Sequence, residues 1–163
     1  MLLLQRLNAV LARVLAALLI VAVGVLVLPV SLQIFSRYTS FIPSYIWTEE
    51  MARFCLVWLV MIGAMIGVRD GVHFDVDVWP RLSPRADAVL TVVSSLAILV
   101  FALAFLWWGI EFTRFAWRRI SELAELPLWL IHVAWPITGA AWLLFQGERL
   151  ARAIQVLRAK APA

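Results

Sequence analysis

The residues best placed to do chemistry in this 163-residue chain are two glutamates and an arginine on one short stretch. Glu49 and Arg53 stand four residues apart, and Glu50 and Arg53 three apart. On a helix both spacings share a face, so carboxylate and guanidinium can pair, for about 0.2–0.5 kcal/mol in water. At the edge of hydrocarbon the same pairing lowers the cost of admitting the arginine by neutralising it locally. Ten residues on, Gly63-Ala64-Met65-Ile66-Gly67 is a GxxxG that lets another helix backbone approach closely. Each feature has a plainer alternative. Arg53 can snorkel to the headgroups, and the glycines can pack within the chain's own bundle. The sharper alternative for both is contact with a partner.

Other titratable groups offer less. His73-Phe74-Asp75-Val76-Asp77 has metal-ligand residue types in alternation, which an extended segment would place on one side. A fourth ligand and a supporting shell are not evident in the sequence, so the stretch reads as a polar loop. His73 and His132 could be paired as haem ligands only if they met, and the topology derived below puts them on opposite sides of the membrane. His132 reads instead as an ordinary interfacial or interhelical hydrogen-bonding residue. A single cysteine, Cys55, excludes an intrachain disulfide and a CxxC site. No GxSxG, HExxH or P-loop occurs. The sequence therefore points to no enzyme, no cofactor and no metal.

The elements that must position these residues lie in a membrane. The chain is 64% apolar and 15% charged, against about 45–50% and 25% in a soluble domain, and its mean hydropathy is +0.95. Four uncharged stretches, 14–36, 54–68, 88–110 and 126–147, contain 23, 15, 23 and 22 residues. A crossing needs roughly 20, so the second must include Trp47 to Arg53, with its charged turn at an interface. The expected fold is an all-α integral membrane bundle of four transmembrane helices, one domain over 1–163. The spans are approximately 14–36, 47–69, 87–111 and 127–147. The first reads as a retained helix rather than a cleaved signal, since its apolar run is long and no small-residue cleavage site follows Pro29.

Basic residues orient the bundle. With both termini cytoplasmic, the inside receives nine of the fourteen lysines and arginines and the outside five. This bias accounts for much of the sequence pI near 10.2 without nucleic acid as a partner. Thr48 is placed to cap the second helix, with Glu49 and Glu50 in its first turn, and Ser83-Pro84 is placed to start the third. Trp47, Trp79, Trp107, Trp108, Trp117 and Trp129 fall near span ends, as interfacial aromatics do. Short amphipathic segments flank the spans: Met1 to Arg13 on the inner side, and a continuation of the third helix through Ile120 on the outer surface. Pro136 is expected to kink the fourth helix. The uncharged cores of spans one, three and four carry no Asp, Glu, Lys or Arg. A self-sufficient coupled carrier needs such groups, so that class is disfavoured, as is a small multidrug exporter.

Over roughly Val14 to Arg149 the sequence resembles the small membrane subunit of TRAP transporters, the tripartite ATP-independent periplasmic uptake systems. The resemblance rests on Arg37-Tyr38, Trp47-Thr48-Glu49-Glu50 with Arg53, Gly63-Ala64, Arg69, His73, Asp77, and a fourth span running from Leu126-Pro127-Leu128-Trp129 to Pro136. It implies a division of labour. A large membrane subunit holds the substrate and sodium sites and makes an elevator-like movement. A periplasmic binding protein captures an organic acid such as a C4-dicarboxylate. The small subunit enlarges the static scaffold in the bacterial inner membrane, among its lipids. On this resemblance Arg37, Glu49, Glu50, Arg53, Gly63, Gly67, Arg69, His73 and Asp77 become subunit-interface or structural residues. Replacing Arg53 with alanine should strand both carboxylates. The outer stretch Arg114 to Arg119 fits lipid headgroups better than the binding protein. The alternative is a standalone four-helix membrane assembly or scaffold unrelated to transport.

Overall fold

The computed structural model describes residues 2–39, 41, 43, 45–71 and 84–158, with side chains from residue 5 onward apart from 84 and 85. His73, Asp75, Asp77, Trp79 and Ser83 lie outside the described residues. The described chain is helical: α1 (Leu2–Tyr38), α2 (Trp47–Asp70), α3 (Pro84–Ala116), the single turn α4 (Trp129–His132) and α5 (Ala134–Arg158).

α1 is one continuous helix of 37 residues, about 55 Å at 1.5 Å per residue. The expected amphipathic lead-in is thus the first turns of the span itself. Its packed residues recur at alternating steps of three and four, through Asn8, Ala12, Leu15, Leu19, Ala22, Leu26 and Pro29. That period of 3.5 keeps one seam against a neighbour. The rest of the surface, including Ile20, Val21, Val27 and Leu28, is exposed and apolar.

α2 begins one residue before Thr48, so the capping expectation fails. Ile46 is already helical at φ −62°, ψ −33° and offers no side-chain bond. The Thr48 hydroxyl instead donates to the Tyr45 carbonyl at 2.6 Å. α2 ends at Gly71, whose φ of 75° is left-handed and whose N–H donates to the Gly67 carbonyl at 3.1 Å, a glycine stop. α3 opens on Pro84 as expected, but stops at Ala116 rather than reaching Ile120. The chain turns at Trp117 and folds back on itself before α4.

The expected fourth span is interrupted. Val133 separates α4 from α5, and Pro136 sits in the first turn of α5, where its missing N–H costs little. The break therefore falls just before the proline. α5 reaches Glu148 after 14 residues without a charge, about 21 Å against the roughly 30 Å of hydrocarbon. Three described helices are long and apolar enough to cross a membrane unaided: Gln5–Tyr38, Trp47–Asp70 and Ala86–Ala116.

Packing orders the helices α1, α2, α5, α3. α3 packs most extensively on α5, α1 on α2, and α2 on α5 joins the two pairs, while α1 and α3 do not meet. The bundle is an open array, with its core where α1, α2 and α5 converge on Leu15, Met61, Ile62, Met65, Ala141 and Phe145. Two tryptophans tie the centre through their indole N–H groups. Trp142 donates to the Ala64 carbonyl at 3.1 Å and Trp58 to the Leu130 carbonyl at 2.9 Å. Hydrocarbon offers an indole N–H no other acceptor. Trp58→Phe is expected to lower stability by about 1 kcal/mol. Thermal unfolding in detergent measures this, and an unchanged midpoint would remove the bond's role.

Candidate subunit interface

At one end of the array Glu49 and Glu50 point to different tasks. Arg53 pairs with Glu49 at 3.7 Å, and both side chains remain more than half exposed. Such a pair contributes little by itself. Glu50 is 8% exposed and forms no ion pair with Arg53 among the described residues. Its carboxylate accepts from the backbone N–H groups of Leu123 at 3.0 Å and Ala124 at 2.6 Å, and the Ser121 hydroxyl bonds to it as well. The expectation that Arg53→Ala would strand both carboxylates therefore holds for Glu49 alone. Glu50 is satisfied from across the molecule because the chain turns back after Ala116.

That returning segment is compact. Ile120 and Pro127 form an antiparallel bridge. The Ser121 N–H donates to the Leu126 carbonyl at 2.8 Å, the Leu128 N–H to the Arg119 carbonyl at 2.9 Å, and the Leu126 N–H to the Ser121 hydroxyl at 3.0 Å. Glu125 supplies the turn at φ 53°, a left-handed conformation uncommon outside glycine. Trp117 and Trp129 stack at 5.3 Å, and the Arg119 guanidinium lies 3.9 Å from the Phe115 ring centre. His132 bonds through Nδ1 to the Leu128 carbonyl at 2.6 Å and meets Phe112 edge-on at 4.2 Å. The hydrogen bond is thus local to its own turn, and the contact His132 makes with another helix is the Phe112 ring of α3.

Arg37, at the end of α1, is exposed and borders a polar cleft of about 730 Å³ shared with Gln33, Tyr45 and Glu49. Gly63 faces open space, since a Cβ there would meet nothing within 4 Å. Its half of the GxxxG is thus not consumed by packing among the described residues. The glycines that are consumed are Gly139 and Gly109. A Cβ on Gly139 would lie 2.7 Å from the Ala102 carbonyl oxygen and from the Leu106 nitrogen, and one on Gly109 would lie 2.8 Å from Pro136. Neither belongs to a spaced motif. The available signal was a lone glycine beside small residues, Gly139-Ala140-Ala141, in a span.

The opposite end carries a polar knot that the sequence reading missed. Asn8, 4% exposed, donates through Nδ2 to Glu148 and to the Leu144 carbonyl. Arg152 pairs with the same carboxylate. Burial raises the proton affinity of Glu148, but the bonds from Asn8 and Arg152 and the charges of Arg152 and Arg69 outweigh it, leaving its pKa below the ordinary carboxylate value. Arg69 reaches Asp70 at 3.5 Å. The Arg149 guanidinium lies over Gly71, so close that a Cβ there would meet Nη1 at 2.6 Å. The signal for the knot was Asn8 itself, an amide in an apolar helix that needs a partner.

Between these ends the surface is apolar. α3 and α5 enclose a groove of about 620 Å³ lined by Phe101, Phe105, Trp108, Phe112 and Trp135. Among the described residues no group of histidines, cysteines or carboxylates is arranged to hold a metal. The arrangement suits packing against lipid and protein.

Comparison with known proteins agrees with that character. Residues 26–156 match the family model described as tripartite ATP-independent periplasmic transporters, DctQ component. The chain belongs to this family. It is 29% identical over 107 residues to the C4-dicarboxylate TRAP transporter small permease protein DctQ of Rhodobacter capsulatus, covering 62% of this chain and 45% of that protein. It is 23% identical over 96 residues to the isethionate TRAP transporter permease protein DctMQ of Oleidesulfovibrio alaskensis, covering 57% of this chain and 15% of that protein. The matched stretch thus spans less than half the length of either relative. Family membership and the apolar helices together make this DctQ-family chain a bacterial membrane protein and a transporter component.

Proposed function

We propose that this chain is the small, non-catalytic permease subunit of a TRAP importer, forming scaffold with a large membrane subunit in the inner membrane. The observation that carries this reading is the absence of charge from the long apolar stretches of the helices, within a DctQ-family chain. The stretches 14–36, 54–68 and 88–110 contain no ionisable carboxylate or base, and such groups mark ion and substrate paths in membranes. Substrate and sodium sites then belong to another chain. The relative named DctMQ, of which this chain matches 15%, supports a partnership close enough for one polypeptide to hold both components.

In this reading both termini are cytoplasmic, and α4 with α5 makes a fourth crossing through the break at Val133. A periplasmic binding protein delivers an organic acid, which enters with sodium. The relatives' names, C4-dicarboxylate and isethionate, both describe small organic anions. Arg37, Glu49 and Arg53 form a polar contact with the large subunit, and Gly63 and Gly67 admit one of its helices. Glu50 shapes the outer loop. Arg69, His73 and Asp77 organise the inner loop.

Co-expression with a candidate large subunit tests the assignment. Replacing Glu49 and Arg53 together with alanine is expected to weaken co-purification by about tenfold or more, as loss of a desolvated charge pair does, while the helical content of the isolated chain is kept. Undiminished co-purification and uptake would refute the interface role. A C-terminal reporter active only outside would refute the orientation.

A further inference from the structure

We propose that the cleft between α1, α2 and α5, at the end of the array that carries the termini, binds the phosphate of an anionic phospholipid headgroup. The cleft has a volume of about 850 Å³ and is lined by side chains from all three helices, among them Asn8, Arg69, Glu148, Arg149 and Arg152. Its charges do not cancel. Asp70 takes Arg69, and Glu148 takes Arg152 and the Asn8 amide. Arg149 has no carboxylate within ion-pair distance among the described residues. Three guanidinium groups thus face two carboxylates, and the surplus cation lies beside Gly71 at the end of α2. A guanidinium fork matches phosphate oxygens in geometry and charge.

A second observation points to a ligand. Asn8 Oδ1 is buried and accepts no hydrogen bond from the described residues. A buried amide oxygen without a donor is rare, and a headgroup hydroxyl beside a phosphate would supply one. The position suits a lipid. Arg69 is in the last turn of a helix apolar enough to cross the membrane, and Phe145 lines the cleft beside the charges. Basic pockets between helices at the membrane surface are where anionic headgroups bind. The proposal does not depend on the transport reading.

Native mass spectrometry of the full chain, released from detergent with defined lipids, tests it. Phosphatidylglycerol is expected to be retained at least fivefold more than phosphatidylcholine, and the excess should disappear in Arg69→Gln/Arg149→Gln. Arg149→Lys should keep part of it, and Arg158→Gln, outside the cleft, all of it. For the wild-type chain, 0.5 M salt should reduce retention, a readout independent of any variant's folding. Glycerol phosphate competing at millimolar concentration would show that the phosphate alone is recognised and would overturn the commitment to lipid. Equal retention of the two lipids, or an excess that survives the double substitution and the salt, would overturn the site.

Discussion

Replacing Gly139 with leucine is expected to drive α3 and α5 apart and leave little folded chain. The reason is backbone geometry. Even the first carbon of a side chain at this position would fall 2.7 Å from the Ala102 carbonyl oxygen and the Leu106 nitrogen, and neither belongs to a side chain that can rotate away. Relief requires displacing one whole helix, and this is the most extensive helix contact in the array. Overpacking of a close-packed contact costs about 1–3 kcal/mol, occasionally more. Gly139→Ala should reach the upper part of that range, while the gain in helix propensity from glycine to alanine returns only about 1 kcal/mol. Gly63→Ala is the internal comparison. No atom lies within 4 Å of a Cβ there, so the isolated chain should be unchanged or slightly more stable. Thermal unfolding of the two variants in one detergent measures the contrast. Gly63→Leu should then leave the isolated chain folded and, on the proposed function, impair co-purification with the large subunit. Equal destabilisation by Gly63→Ala and Gly139→Ala would mean that the helices do not cross as described.

The contrast between these glycines shows which parts of the molecule could be read in advance. Gly63 and Gly67 form a motif because they are four apart on one helix, and spacing along a helix is visible in a string of letters. Gly139 packs on residues more than thirty positions away, and only the antiparallel pairing of α3 with α5 makes it a contact. The same distinction runs through the fold. The apolar stretches of α1, α2 and α3 follow from composition, since hydrocarbon demands long uncharged helices with internally satisfied backbones. The break at Val133 was displaced from the expected kink by a few residues, because the first turn of a helix accommodates Pro136 without bending. The end of α3 was placed too far along. Glu111 to Ile120 has a helical pattern, but tertiary bonds to the returning segment Ser121–Leu128 outweigh local preference there. Glu49 and Arg53 pair as their i, i+4 spacing requires. Glu50 sits at an equally suitable spacing from Arg53, yet its partners are amides 73 and 74 residues away.

Those distant partners make Glu50 the residue whose loss should most alter the loop. With Glu50→Ala, the amide hydrogens of Leu123 and Ala124 lose their acceptor, and the turn between Ser121 and Leu126 loses its link to α2. The expected result is local. Hydrogen exchange at Leu123 and Ala124 should accelerate by about tenfold or more, since a hydrogen bond to a charged acceptor contributes more than a neutral one, while the centres of α2 and α5 keep their protection. Glu50→Gln should fall between the two, because one amide oxygen can still accept but carries no charge. Arg53→Ala should leave these amides protected, as its ion pair is with Glu49. This ordering separates a carboxylate that shapes the loop from one that belongs to a surface ion pair. If Arg53→Ala exposed the loop amides as much as Glu50→Ala, the two charges would act as one unit and the division of tasks between Glu49 and Glu50 would fail. If neither did, the bridge between Ile120 and Pro127 would be sufficient to hold the loop without α2. Uptake measured alongside carries the result to function. On the proposed function, uptake slowed by Glu50→Ala with co-purification of the large subunit kept would place the loop's contribution after assembly.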